Sequence, residues 1–328
     1  MNTDQLLIVV AISSYIVSTL AFLTYLLTRD RLAKTIGIPF AFIGCGVQFF
    51  ELAYRYQTSH IWPLTNLYGS LSLFAAMSVA IFLGFAYKYD VWFLGGFVEG
   101  IAAGFLAYAL TWNEGYLPAV PALQSYWIKI HVPLVVSAYA AFMVAAVASI
   151  LYLIKYYGEQ SLERSARKPM QMRGTAAAGA GGASGAVSMA AYAQPATRRI
   201  VGGESAVVTA AAVDGNALAL WLATLPSLAK MDILCYRITA IGLPLLTVGI
   251  ITGAWWAKEA WGAYWQWDPK ETAALASWIV YAMYMHLHTR SAWRGSKSSW
   301  LSIVGFISII FCYLGVNIWV SGLHSYKM

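Results

Sequence analysis

A short stretch near the C-terminus, W-W-A-K-E-A-W-G-A-Y-W-Q-W, holds the residues of this chain that are best suited to grip a flat ligand. We expect residues 255–267 to form one short loop, and its aromatic side chains are Trp255, Trp256, Trp261, Tyr264, Trp265 and Trp267. Because indole and phenol rings offer large apolar faces, their density predicts a platform for a large, flat, apolar ligand such as a porphyrin. An enlarged membrane aromatic belt, in which rings anchor helix ends at the interface, is the alternative.

The residues that follow this aromatic segment have the pattern of a helix start. Asp268 is a typical N-cap, Pro269 suits the first helical position, and Glu271 stands where a capping box needs an acid. This pattern accounts for both acids without chemistry. Lys270 is left over, and its ammonium group would either meet a ligand carboxylate or extend toward the membrane interface.

Two of the five histidines lie near the aromatic segment if the predicted helices alternate across a membrane. His131 lies at the outer end of one predicted span and His324 at the outer end of the last. Two neutral imidazoles that face each other across a flat aromatic site form the axial pair that a six-coordinate haem iron requires. A partly solvated interfacial histidine is the alternative for each.

The remaining histidines differ in depth. If its helix begins at Glu271, His286 lies about 22 Å further along, at 1.5 Å per residue, and an ionisable group at that depth is a functional candidate. His288 faces another way around the helix, and we expect it to meet lipid headgroups beside Arg290. His60 reads as an ordinary loop histidine.

Composition predicts the fold class. Of the 328 residues, 60% are hydrophobic and only 11% are charged, whereas a soluble domain carries about 25% charged residues. The sequence therefore predicts an all-α polytopic membrane protein with about eight transmembrane helices. Apolar runs long enough to cross a bilayer begin near Gln5, Ile36, Tyr68, Val91, Tyr126, Ile233, Glu271 and Ser299.

Lysine and arginine orient these spans. The basic residues between positions 29 and 34, 155 and 230, and 290 and 297 all fall on one side if the spans alternate. The positive-inside rule makes that side cytoplasmic, so both termini and the aromatic segment are expected on the outer side. This asymmetry explains the net charge of +7, and we expect no nucleic-acid partner.

The chain divides into three predicted parts. Residues 1–157 form an N-terminal five-helix bundle, 158–230 an Ala/Gly-rich flexible cytoplasmic connector, and 231–328 a three-helix unit that carries the aromatic segment. A weak helical pattern covers positions 207–222. Glu51 and Arg55 are spaced as an intrahelical pair, and Glu99 is an acid with no evident partner.

Together these residues resemble the CcsA family (also called CcsB or ResC), integral membrane proteins of System II cytochrome c biogenesis. W-G-A-Y-W-Q-W-D-P-K-E-T is similar to the family's WWD signature, and G-L-H-S-Y to its terminal histidine motif. The run Y-R-I-T-A-I-G-L-P-L-L-T-V-G-I-I-T-G-A-W-W-A and the run H-I-W-P-L-T-N-L-Y are also family-like. The resemblance is loose over positions 61–83 and close from 126 to the end, apart from the connector.

The resemblance implies a role for each site residue. His131 and His324 match the external histidines that ligate haem beside the WWD segment, and His286 matches the transmembrane histidine, with His288 left as its competitor. The resemblance further implies haem b as a transient substrate and holocytochrome c synthase (haem lyase) activity in complex with a ResB/CcsB-type membrane protein. Apocytochrome c with its CxxCH motif and thiol-reducing pathway proteins are the other implied partners. The implied location is the bacterial cytoplasmic membrane, or the thylakoid membrane in a plastid.

Other readings make different predictions. The haem-handling proteins of System I share the tryptophan motif. A permease for another apolar or amphipathic solute, with the aromatic segment as its gate, predicts a protein without a haem absorption band, although no inverted repeat of the transporter kind is evident. A membrane oxidoreductase with permanent b-type haem predicts paired deep histidines within single helices.

Overall fold

The computed structural model describes residues 3–112, 120–178 and 215–320, and within these ranges the secondary structure is helical with no strand. An all-α polytopic membrane protein is therefore confirmed. The ten α-helices of the described ranges are α1 Thr3–Thr28, α2 Arg31–Ser59, α3 Leu67–Tyr89, α4 Gly95–Leu110, α5 Ile128–Ala178, α6 Ala217–Thr224, α7 Leu228–Trp261, α8 Pro269–His288, α9 Ser296–Ile310 and α10 Val316–Trp319.

Seven segments of the described ranges are long and apolar enough to cross a membrane. They correspond to seven of the eight predicted spans. The remaining predicted span forms α8, whose 20 residues cover about 30 Å but are less apolar. The physical reason is that Lys270 and Glu271 at its start and His286 and His288 at its end lower its mean hydropathy.

Small residues bring the first four helices close together. Gly37 of α2 and Gly95 of α4 both face the ring of Phe22 on α1, where an added Cβ would lie 3.1 and 2.3 Å from ring carbons. That ring stacks on Trp92 with a centroid distance of 5.9 Å. The result is a tight bundle in which α1 is in contact with α2 and α4.

A buried polar cluster also joins these helices. Arg55 donates to Asp4 at 3.0 Å and lies 3.9 Å from Glu51, so the predicted Glu51–Arg55 pair is present. The hydroxyl groups of Tyr68 and Ser72 donate to Glu51 at 2.9 and 3.3 Å. The Glu51 carboxylate therefore receives hydrogen bonds in place of the water it has lost.

Helix α5 is the common neighbour of both halves of the chain, since it packs against α3, α7 and α9. Its side chains from Ala138 to Ala148 are all buried. Phe142 on α5 stacks on Tyr281 of α8 with a centroid distance of 3.6 Å and an angle of 9°. The helix continues to Ala178, so residues 158–178, predicted as part of a flexible connector, extend α5 instead.

The second half of the predicted connector is described only from residue 215. Positions 217–222 of the weak helical pattern belong to α6, whereas 207–214 lie outside the described residues. The end of α6 is tied to α5, because the buried ammonium group of Lys155 donates to the carbonyl oxygens of Leu222 and Leu225 at 3.0 and 2.8 Å. This contact connects the bundle to the segment that leads into α7.

Candidate functional site

The aromatic segment is divided between a helix and a loop. Helix α7 runs to Trp261 and ends at Gly262, which adopts a left-handed conformation with φ +84°. Trp255, Trp256 and Trp261 therefore belong to the last turns of α7. Only Tyr264, Trp265 and Trp267 lie in the loop, whereas the sequence suggested a single loop for all six rings. Glycine at the position after the helix explains the difference, because it terminates a helix in this conformation without steric cost.

The six rings also differ in exposure. Trp255, Tyr264 and Trp267 are 44%, 54% and 70% exposed, and only Trp256, at 3%, is fully buried. The indole nitrogen of Trp256 donates to the carbonyl oxygen of Ala122 at 2.7 Å, so this ring is fixed inside the protein. The exposed rings are those that a ligand at the membrane edge would reach directly.

His131 lies beside this buried indole. The imidazole ring of His131, in the first turn of α5, stacks on Trp256 at 6.0 Å between centroids with an angle of 18°. The ring centroid of Trp127, the residue before α5, lies 4.6 Å from that of Trp255. The start of α5 and the end of α7 thus contact each other through two aromatic pairs, and the predicted association of His131 with the aromatic segment is present.

A hydrogen bond fixes which nitrogen of His131 can act as a ligand. Its Nδ1 lies 2.7 Å from the carbonyl oxygen of Gly249 on α7. A carbonyl oxygen only accepts, so Nδ1 carries the proton and Nε2 keeps its lone pair. Metal-binding histidines are oriented in the same way, with one ring nitrogen donating to a carbonyl or carboxylate and the other facing the metal.

Two glycines of α7 allow this approach. A Cβ on Gly253 would lie 2.7 Å from both Cε1 and Nδ1 of His131, and one on Gly249 would lie 2.6 Å from Cγ2 of Val135. Any larger residue would push the imidazole or helix α5 away. The spacing of Gly249 and Gly253, G-x-x-x-G, is the sequence signal from which this close helix packing could have been predicted.

The predicted helix start after the aromatic segment is confirmed. Asp268 is the N-cap of α8, Pro269 is its first residue, and the side chain of Glu271 bonds back to the Asp268 backbone to complete the capping box. Glu271 also accepts from the backbone N–H of Gln266 at 2.8 Å. The two acids therefore hold the loop against α8, which is the structural explanation that the sequence favoured.

The residue before the cap has an unusual backbone. Trp267 has φ +56°, a left-handed conformation that costs a bulky residue of order 1–3 kcal/mol. The capping box on its C-terminal side keeps the chain in this conformation. The indole is 70% exposed and packs edge-on against Trp265, at 5.7 Å between ring centroids. Nothing in the sequence indicated this strain.

Lys270 lies in the first turn of α8 and is half-buried. Its ammonium group interacts electrostatically with Cys312 and Asp268, and its backbone carbonyl oxygen accepts a contact from the Cys312 thiol at 3.7 Å. Cys312 belongs to a π-helical turn, Phe311–Gly315, between α9 and α10. The start of α8 therefore packs against the end of α9 next to the aromatic segment.

His286 and His288 have opposite environments at the far end of α8. His286 is exposed on a helix face that it shares with Ile279 and Met283, which are 46% and 48% exposed. His288 is buried, and its Nε2 lies 3.1 Å from Oδ2 of Asp232. The expectation that His288 meets headgroups was wrong, because the sequence could not show that α7 supplies a carboxylate at this depth.

Two further histidines complete the set. His60 is the exposed residue that ends α2 in a left-handed conformation, φ +55°, which fits a loop histidine. His324 lies outside the described residues. The structure thus brings His131 together with the aromatic segment, and it separates both from His286 by the length of α8.

The fold and the site define a class: an all-helical, multi-pass membrane protein with an aromatic platform and an oriented histidine at one end of its helices. The model of the cytochrome c assembly protein family matches residues 38–324. The chain is 34% identical over 284 residues to the cytochrome c biogenesis protein CcsA of Heterosigma akashiwo, covering 85% of this chain and 81% of that protein. The chain belongs to the cytochrome c assembly protein family and is of the CcsA type.

Other relatives extend the match. The CcsA protein of Microcystis aeruginosa is 36% identical over 290 residues, with 84% of this chain and 82% of that protein covered. The CcsA protein of Cyanophora paradoxa is 32% identical over 320 residues, with 95% and 94% covered. The solved structure of the cytochrome c haem lyase CcmF has the same fold, with a TM-score of 0.58 at 15% identity. That alignment covers 94% of this chain and 46% of CcmF, so the chain spans about half the length of that protein.

Proposed function

We propose that this chain is the haem-handling subunit of a cytochrome c synthase, which holds haem b as a transient substrate against the aromatic segment. The observation that carries the proposal is the Nδ1 contact of His131 with the Gly249 carbonyl oxygen, because it places the proton on Nδ1 and leaves the Nε2 lone pair to bind a metal. The names of the CcsA relatives, which are cytochrome c biogenesis proteins, support the same role.

The second axial ligand in this proposal is His324, which matches the terminal histidine motif of the family. Histidines on both faces give iron a bis-histidine environment, while the exposed rings of Trp255, Tyr264 and Trp267 cover the porphyrin. Trp256 acts indirectly, because it is buried and positions His131. Asp268 keeps the loop in place through the cap of α8, and Lys270 would pair with a haem propionate.

Attachment then proceeds on this platform. Each cysteine thiol of the apocytochrome CxxCH motif adds across one haem vinyl group, so that a C–S bond forms and the proton ends on the second vinyl carbon. The addition involves no net oxidation or reduction, but the thiols must be reduced, which requires a thiol-reducing pathway. The chain supplies orientation and exclusion of water, and the histidine of the CxxCH motif replaces one axial ligand as the product leaves.

His286 has a separate role in the proposal. It is exposed on the face of α8 that contains Ile279 and Met283, a surface suited to a membrane helix of a ResB/CcsB-type partner. A partner histidine opposite His286 would complete a second haem site, through which haem travels toward the aromatic segment. The aromatic segment belongs to the predicted 231–328 unit. We place this segment and both termini on the outer side of the bacterial cytoplasmic membrane, or of the thylakoid membrane in a plastid.

Visible spectra of the full chain, purified with its partner, test this function. In the reduced state, we expect the wild-type complex to show a bis-histidine haem spectrum whose intensity falls in His131→Ala and in His324→Ala and is restored in part by added imidazole. The haem that remains in these variants is expected at the His286 site and should be lost when His286→Ala is added. His60→Ala is the control, because it removes an exposed histidine at the end of α2, and this variant should retain the full spectrum. An assembled wild-type complex without haem would favour the permease, and equal haem retention in all variants would exclude His131 and His324 as ligands.

A further inference from the structure

A small cavity lies between the two halves of the chain, at the end of the molecule where α1 and α3 finish and α7 begins. Its volume is about 230 Å³, which is below the roughly 300–1,000 Å³ of sites for organic ligands of drug size. Tyr25 and Arg29 line it from α1, Trp92 from the turn after α3, and Ser227 and Lys230 from the start of α7. We call it the α1–α3–α7 cavity. A site of this size suits a single small group rather than a porphyrin.

Two cations of this cavity, Arg29 and Lys230, form no close ion pair with a described acid, although the charge of Lys230 acts on Asp90 from a longer distance. Asp90, the acidic residue of the lining, is 2.8 Å from Lys34, whereas none of the ion pairs formed between described residues includes Arg29 or Lys230. The guanidinium group of Arg29 donates to the Tyr25 hydroxyl at 3.4 Å and lies 5.3 Å from its ring centroid. These contacts orient Arg29 without neutralising its charge.

The start of α7 adds to the positive potential of the cavity. Ser227 is the N-cap of this 34-residue helix, and its hydroxyl accepts from the backbone N–H of Lys230. Unpaired N–H groups and the helix dipole at such a terminus favour an anion. The cavity therefore combines two side-chain cations from different helices with a helix N-terminus.

The position of the cavity indicates where the anion comes from. Thr28, Tyr89 and Leu228 are the terminal residues of three membrane-spanning helices, so the cavity lies at the membrane edge, where phospholipid phosphates are concentrated. Trp92 and Tyr25 add the aromatic rings that are common at this level. Basic pockets between transmembrane helices are known sites for lipid headgroups.

We propose that the α1–α3–α7 cavity binds the phosphate of an anionic phospholipid headgroup, between Arg29 and Lys230. The bound lipid links the end of α1 to the start of α7 and so stabilises the contact between the N-terminal bundle and the unit that carries the aromatic segment. This inference does not depend on haem binding. The lipid is inferred only from the positive charge of the cavity and from its position at the membrane edge.

Lipid retention by the full-length protein tests the site. The protein in a neutral detergent is mixed with phosphatidylglycerol or with phosphatidylcholine, and bound lipid is counted by native mass spectrometry. We expect phosphatidylglycerol to be retained in preference to phosphatidylcholine. Because a basic residue near a membrane surface contributes about a fivefold attraction, the Arg29→Gln/Lys230→Gln double variant should bind phosphatidylglycerol roughly thirtyfold more weakly.

A second double variant controls for overall charge. Lys88 and Arg237 lie over the ring of Tyr89, at 5.6 and 5.1 Å from its centroid, and neither lines the cavity. Lys88→Gln/Arg237→Gln removes the same charge and should keep phosphatidylglycerol binding within about threefold of wild type. Asp90→Asn, which removes the acid of the cavity, should strengthen binding.

Three results would overturn the proposal. Equal losses in the two double variants would mean that the lipid responds to overall charge and not to the cavity. Equal retention of phosphatidylcholine and phosphatidylglycerol would show that the headgroup charge is not recognised. Displacement of phosphatidylglycerol by millimolar sodium phosphate would identify the ligand as a soluble anion instead of a lipid.

Discussion

The Nδ1 atom of His131 lies 2.7 Å from the carbonyl oxygen of Gly249, and this contact joins the start of α5 to the middle of α7. It fixes the tautomer of the imidazole, with the proton on Nδ1 and the lone pair on Nε2. The same helix pair holds Trp127 against Trp255 and His131 against Trp256. The packing of α5 against α7 therefore determines both the orientation of His131 and the position of Trp255 and Trp256.

Substitution of Gly253 tests this relationship. In Gly253→Ala the new Cβ would lie 2.7 Å from the His131 ring, so the imidazole must rotate and its bond to Gly249 is lost. Orienting contacts of this kind contribute about 10- to 100-fold to metal affinity, and we expect a loss of that size in haem binding, measured by spectral titration. Gly104→Ala is the control, because a Cβ there meets nothing within 4 Å. Equal haem affinity in the two variants would contradict the packing argument.

Asp232 should be the main determinant of stability at the other end of α8. One of its oxygens is 3.1 Å from His288, and the other accepts from the backbone N–H of Gly295 at 3.0 Å. Because hydrogen bonds to a charged group contribute about 1.5–3 kcal/mol, Asp232→Asn should lower the free energy of unfolding by about 2 kcal/mol. Thermal unfolding in detergent measures the change.

Asp30→Asn is the matched control for that variant. Asp30 is exposed and caps α2 through the N–H of Leu32, and asparagine caps a helix as well as aspartate does. Its unfolding midpoint should stay at the wild-type value. Equal unfolding temperatures of the two variants would show that the Asp232 charge does not stabilise this end of α8.

The Lys34–Asp90 pair predicts a dependence of stability on acid pH. The hydrogen bond from Lys34 lowers the pKa of Asp90 below its ordinary value, which is about 3.9 in an unfolded chain. The pair therefore contributes its full stability above that value and loses it as the pH falls through the folded-state pKa. Since the Asp90 side chain is 73% exposed, the contribution is at most about 1 kcal/mol.

Asp90→Asn measures this contribution. Residue 90 has φ +52°, a conformation that asparagine tolerates, so the substitution removes charge without backbone strain. The unfolding midpoints of wild type and variant should differ by a constant amount from pH 7 to 5 and should converge below about pH 4. A difference that widens in acid would rule out the ion pair as its source.

Lys155 should control the attachment of α6. Its ammonium group is 2% exposed and lies 3.9 Å from Glu159, in addition to its two bonds to carbonyl oxygens. Lys155→Met leaves these acceptors without their donor at a cost of about 3 kcal/mol, and α6 should exchange its amide hydrogens faster as a result. Hydrogen exchange over residues 217–224 is the measurement. Lys129→Met, which changes an exposed lysine of the same helix, should leave exchange in α6 unaltered.

The sequence by itself determined the class of the protein and the position of its aromatic segment. An apolar run of about twenty residues indicates a membrane-spanning helix, because only a helix satisfies all of its backbone hydrogen bonds within the bilayer. The dense group of tryptophans and the Asp-Pro helix cap that follows it are local patterns. The spans, the cap and the aromatic segment could therefore be predicted without a structure. The pair of Glu51 and Arg55 was equally accessible, because residues four apart on a helix always lie on one face.

Only the tertiary structure decided which side chains of these elements face each other. The burial of Trp256 and the exposure of Trp267, the carbonyl of Gly249 that orients His131, and the carboxylate of Asp232 that receives His288 all depend on contacts between helices distant in sequence. Such contacts follow from how close two helices approach and how each is rotated about its axis. A pattern within one helix gives its apolar face but not the residue of the neighbouring helix that meets it.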